Sequence, residues 1–130
     1  MYGIGIFNLK QQIQDTQNTV NDIALSETVA DVSNTFTCNI NNSVAKNFKI
    51  AIADVNAKTI SLTNVPMETS ITMEITATAN ASITWPWADA DWNEGTAPTI
   101  SSSNLYEVLA YTRDKGTNWF AAITDGWDIS

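Results

Sequence analysis

From residue 35 onward, apolar and polar positions alternate almost one for one. Phe36, Cys38 and Ile40 alternate with Thr35, Thr37 and Asn39; Phe48, Ile50 and Ile52 alternate with Lys49 and Ala51. Ile60 and Leu62 follow the same rule, as do Ile71, Met73 and Ile75, and then Tyr106, Val108 and Ala110. A period of two puts successive side chains on opposite faces of a strand, so each run predicts one buried and one wet face. That is the pattern of an antiparallel sheet packed on one side only. Asn41-Asn42-Ser43 and Pro66 punctuate the runs as turn signals. With residues 83–87 and 119–124 added, the chain reads as seven strands. Short strands at such spacing predict a mainly β fold, an antiparallel sandwich of jelly-roll type.

Ahead of these strands the period is different. Ile6, Leu9, Ile13, Thr16, Val20 and Ile23 recur in alternating steps of three and four, while Gln11, Gln12, Gln14, Asp15, Asn18 and Asp22 fill the spaces. This is the spacing of a coiled-coil seam. A helix of this length with so thin a stripe is marginal alone in water, because nucleation is costly, and so it must pack on something. The partner is either the sheet of its own chain or the same helix in another copy. The strict spacing favours another copy, since a helix on a sheet usually shows a broader apolar face. The β-branched and leucine positions suit a dimer or a trimer, and Thr16 weakens either. Residues 25–34 read as the connection out of the helix. The expected organisation is an N-terminal anchor and helical stalk over residues 1–31 and a β-domain over 32–130, with no repeat of fixed period.

Composition narrows what such a domain can do. One hundred and thirty residues suit one core, and at that size roughly two-thirds of the extended-chain surface is buried on folding. The formal net charge is −8, and the six cations are scattered along the chain. A duplex-binding surface needs convergent Lys or Arg, so nucleic acid and anionic membrane are not expected partners. No apolar run approaches the ~18 residues that span a bilayer. Histidine is absent. The usual base for a serine or cysteine nucleophile is therefore missing, as is the commonest transition-metal ligand, and no catalytic site, metal or cofactor is expected. The single cysteine, Cys38, reads as a small buried apolar residue, with a reactive thiol or interchain bridge as the alternative.

Two local features invite a sharper reading. Trp85, Trp87 and Trp92 lie close together, and exposed indoles can stack on sugar faces, so Trp87 and Trp92 are candidate glycan contacts; packing in the core is the competing reading. Asp89, Asp91, Asn93 and Glu94 form an oxygen-rich run, but Glu94 and Ile100 stand where a calcium loop wants Gly and Glu. A solvated acidic loop is the expectation there.

The order of features from residue 82 to 124 carries a resemblance. Ile83-Thr84-Trp85-Pro86 is followed by Asp91-Trp92-Asn93-Glu94-Gly95-Thr96-Ala97-Pro98-Thr99, then a strand, then Asp114-Lys115-Gly116-Thr117-Asn118-Trp119. Pro86 must end a ladder, and Gly116 is free to take positive φ in a tight hairpin. This order resembles a C-terminal module of bacteriophage virion proteins such as head fibres, tail fibres and minor structural proteins. It covers about a third of the chain, and Glu94-Gly95 stands where those proteins more often carry two glycines.

The resemblance implies a non-enzymatic virion structural protein, commonly a homotrimer, that is made in the host cytoplasm and assembled on the particle. A capsid-attached head fibre or decoration protein fits the chain length better than a complete tail fibre. The oligomer contacts would be Ile6, Leu9, Ile13, Thr16, Val20 and Ile23 together with the β-domain. The apolar leader, with Tyr2, Ile4 and Phe7, would dock on the capsid or another virion protein. The alternative is a glycan- or receptor-binding adhesin at a tail tip, meeting a host surface glycan through Trp87 and Trp92.

Overall fold

The computed structural model describes residues 26–130. Ten strands lie among them: β1 (Ser26–Thr28), β2 (Asp31–Val32), β3 (Thr35–Asn39), β4 (Ala45–Ile52), β5 (Lys58–Thr63), β6 (Thr69–Ala77), β7 (Ile83–Thr84), β8 (Asn104–Thr112), β9 (Phe120–Ile123) and β10 (Trp127–Asp128). The mainly β expectation holds. The helix expected over residues 6–23 and the leader before it lie outside the described residues. The segment read as a connection contains β1 and β2.

The strands form two sheets. Sheet A has the order β1-β4-β6-β8, with both β9 and β10 pairing β8; sheet B has the order β2-β3-β5-β7. Neither is purely antiparallel, which corrects the expectation of antiparallel pairing throughout. Strands β1, β4 and β6 run parallel, as do β3, β5 and β7, and antiparallel pairing is confined to β2 with β3 and to β8 with its partners. The cause is the route of the chain. It passes from sheet A to sheet B and back, and each return up to β7 adds a strand parallel to its neighbour, whereas β8 returns antiparallel to β6. Ala45 pairs with Ser70 and Lys58 with Ile83, a recurrence of 25 residues, while Thr35 pairs with Thr59 after 24. The coil therefore repeats in space although no sequence repeat announces it.

The alternating residues assort as their period requires. Phe36, Cys38 and Ile40 of one sheet and Phe48, Ile50, Ile52, Ile71, Met73 and Ile75 of the other are all buried, in one continuous core. At ~25 cal/mol per Å² of apolar surface removed from water, each such side chain contributes about 1.5–3 kcal/mol before entropy is counted. Sheet B turns an uncharged hydroxyl face outward: Thr35, Thr59 and Thr84 stand in register across its three parallel strands. Positive φ at Asn41 and Asn42 (54° and 57°) closes the turn expected there, with Ser43 N–H donating to Ile40 C=O at 3.0 Å. Asparagine tolerates this region better than most side chains because its short amide bonds locally.

One buried charge holds the coils in place. The Lys58 ammonium, with its side chain fully buried, donates to Asp31 Oδ2 at 2.6 Å and to Asn34 Oδ1 at 2.8 Å, and pairs with Asp54 Oδ1 at 2.9 Å. Asp31 opens β2, Asn34 lies in the β2–β3 turn and Asp54 in the β4–β5 turn, so one side chain ties two turns that are separated by β3 and β4. The hydrogen bond to Asp31, then that to Asp54, raises the lysine above its usual range, against the desolvation that would lower it. Asp54 is correspondingly lowered, chiefly by its hydrogen bond from Lys58.

Candidate functional site

The outer face of sheet A is where the structure departs from a plain wet surface. Registers across β4, β6, β8 and β9 align two rows: Asn47, Thr72, Leu109 and Ala122 in one, and Ala45, Ser70, Tyr111 and Phe120 in the next. These rows floor an open groove of about 740 Å³. One wall is the 3-10 turn Asp89–Asp91 with Trp92 and Asn93 after it. That wall is fixed by backbone: Trp92 forms a bridge with Ala121, and Asn93 N–H donates to Ala121 C=O at 2.9 Å. Asp91 steadies the turn by accepting from Ala88 N–H at 3.3 Å.

The groove is predominantly apolar. Leu109 (48%), Tyr111 (41%) and Phe120 (54%) are well exposed, although they sit on strands whose opposite face is core. Tyr111 and Phe120 stack with ring centroids 4.8 Å apart and 17° between planes, and the Arg113 guanidinium carbon lies 5.6 Å from the Tyr111 centroid. The next row along the strands is charged, with Lys49 paired to Glu74 and Glu74 to Glu107. The apolar area is thus bounded on that side.

The far lip is the β8–β9 hairpin. The Thr112 hydroxyl, in a residue 1% exposed, lies 2.8 Å from Asn118 C=O and 2.9 Å from Asp114 Oδ1, and it accepts Gly116 N–H at 2.9 Å. Asp114 accepts Asn118 N–H at 2.9 Å and the Asn118 amide at 2.8 Å. These bonds, the backbone one foremost, hold the Asp114 carboxyl below the usual range. Gly116 takes φ +83° as the hairpin signal requires.

The tryptophans pack behind the wall. Trp92 meets Trp85 edge to face at 4.9 Å and 79°, and Trp87 at 5.5 Å and 67°; Trp119 lies 5.5 Å from Trp87. Trp87 and Trp92, the candidate glycan contacts, are only 8% and 3% exposed. A sugar ring could stack on neither without displacing a neighbouring indole, so the core-packing reading describes them. The indole N–H groups of Trp85, Trp87 and Trp92 are buried without a hydrogen-bond partner among the described residues. Edge-to-face packing is the geometry in which an indole edge meets a ring face, a weak but real compensation.

Tyr2, Ile4, Phe7 and the stripe Ile6, Leu9, Ile13, Thr16, Val20 and Ile23 lie outside the described residues. Among the described residues no three His, Cys, Asp or Glu side chains gather as a metal-binding group. Cys38 is buried, and burial, with the nearby Glu27 carboxylate, pushes its thiol up to about 12. The groove itself was not anticipated. Its signal was present in β8, where Leu109 and Tyr111 fall on the face shared with Glu107, the face expected to be wet. Compared with protein-family models, with curated proteins and with solved structures, the chain finds no match.

Proposed function

We propose that this chain is a non-enzymatic structural protein of a bacteriophage particle, a capsid-attached head fibre or decoration protein. It would be seated through Tyr2, Ile4 and Phe7 and act as a homo-oligomer, a trimer in preference to a dimer. The observation that supports this reading is how the residues of the resemblance cluster. Trp85, Trp87, Trp92 and Trp119 form one packed group. Gly95 takes φ +73° and donates its N–H to Trp92 C=O at 2.8 Å, and Asp114 to Trp119 closes the hairpin beside them. Several residues of the resemblance thus pack into one unit, which supports reading them as a module.

The adhesin alternative rested on Trp87 and Trp92, and their burial takes those two rings away from it as a stacking surface.

The test is incorporation. Particles assembled with the full chain should carry it in mass spectra of purified virions, and particles assembled with a chain lacking residues 1–7 should not. Equal incorporation of both would sink the anchoring reading.

A further inference from the structure

The groove on sheet A and the way the chain reaches it point to its occupant. β1 begins at Ser26, which pairs with Asn47, and Asn47 belongs to the first floor row. From Ser26 the strand runs toward Lys49, away from the groove. The preceding chain therefore leaves the sheet at the groove end, one strand from the floor. Residues 6–23 would span about 27 Å as a helix, more than the ~19 Å from β1 to β9.

We propose that residues 6–23 form an amphipathic helix that lies in this groove of the same chain, with Ile6, Leu9, Ile13, Val20 and Ile23 against Leu109, Tyr111 and Phe120. The thinness of the stripe, which argued for a seam between copies, fits this floor equally well. The apolar part of the floor is itself narrow, and it is flanked by Ser70, Thr72 and Asn47, so a broad apolar face would be wasted. Thr16, a weak point in a coiled coil, meets a floor that already carries hydroxyl groups. Docking within the chain also has the higher effective concentration, because the tether from residue 23 to Ser26 is short. It satisfies two needs at once: a helix marginal alone gains a packing surface, and three exposed apolar side chains gain a cover. This goes beyond the particle reading and stands without it. Copies could still associate through the rest of the β-domain.

Hydrogen exchange on the full-length chain, with light scattering on the same sample, tests it. Amides of residues 6–23 should exchange about tenfold or more slowly than in a synthetic peptide of residues 1–25. Leu109→Ser with Phe120→Ser should return them to the peptide rate while β4 and β6 stay protected. Protection that is absent, that survives the double substitution, or that falls on dilution together with the molar mass would overturn the proposal; the last result assigns the stripe to a seam between copies. Should the double variant unfold, Ile13→Asp decides. It lies outside the β-domain and is expected to shift the Leu109 methyl resonances, and unmoved methyls would overturn the proposal.

Discussion

The ammonium of Lys58 lies 2.6 Å from the carboxylate of Asp31, across 27 residues of chain, and this contact fastens the first turn of sheet B to the turn that follows β4. The lysine side chain is fully buried, whereas Asp31 and Asp54 keep 33% and 49% of theirs exposed. A buried cation stripped of its partners is far costlier than an exposed carboxylate stripped of its own. Asp31→Ala with Asp54→Ala should therefore lower Tm by more than Lys58→Met, which removes the charge together with its pairing. Equal losses in thermal melts would show that the two turns are held by something else.

The same contact sets an alkaline limit. Lys58 is raised in the folded state, so its contribution is fully present below the ordinary lysine range and is lost as pH rises through the elevated folded value. The Tm gap between the native chain and Lys58→Met should stay constant from neutral pH to about 10 and narrow only above it. A gap that closes near neutrality would contradict the assigned pairing.

At the hairpin, Thr112→Val keeps the shape and deletes the hydroxyl. Gly116 N–H then loses its acceptor at a half-buried site, at a cost of about 1 kcal/mol by urea denaturation. Asp114 is depressed, so its support of the hairpin is present above the ordinary Asp range and lost as pH falls through the lower folded value. Acid titration followed at the Asn118 amide should show that loss below about pH 4.

Trp92→Ala opens a cavity beside the indoles of Trp85 and Trp87 and loosens the groove wall. Large-to-small changes of this kind cost about 3–5 kcal/mol, so the variant should be less stable by that order in urea, with the sheet A amides losing protection near β9. A change within ~0.5 kcal/mol would mean that the ring is not core.

Cys38, with its thiol at about 12 and no exposed surface, should resist a thiol reagent in the native protein at neutral pH and react fully in denaturant. Rapid native labelling would return it to the reactive alternative.

The sequence by itself determined which residues face inward. Phe36, Cys38, Ile40, Phe48, Ile50, Ile52, Ile71, Met73, Ile75, Tyr106, Val108 and Ala110 all lie where the period of two puts them, because side-chain direction alternates strictly along any strand. It also marked the Asn41-Asn42 turn and the Gly116 hairpin, where local chemistry alone fixes the backbone. Strand direction was decided only in three dimensions. A half-buried strand alternates in the same way beside a parallel or an antiparallel neighbour, and partners 25 residues apart leave no local trace. The groove is tertiary for the same reason. Leu109 and Tyr111 could be seen on the wet face of β8, but only register brought Phe120, Ala45 and Asn47 beside them. Burial of Lys58 likewise required two turns far apart in sequence to close on one side chain, which no window along the chain contains.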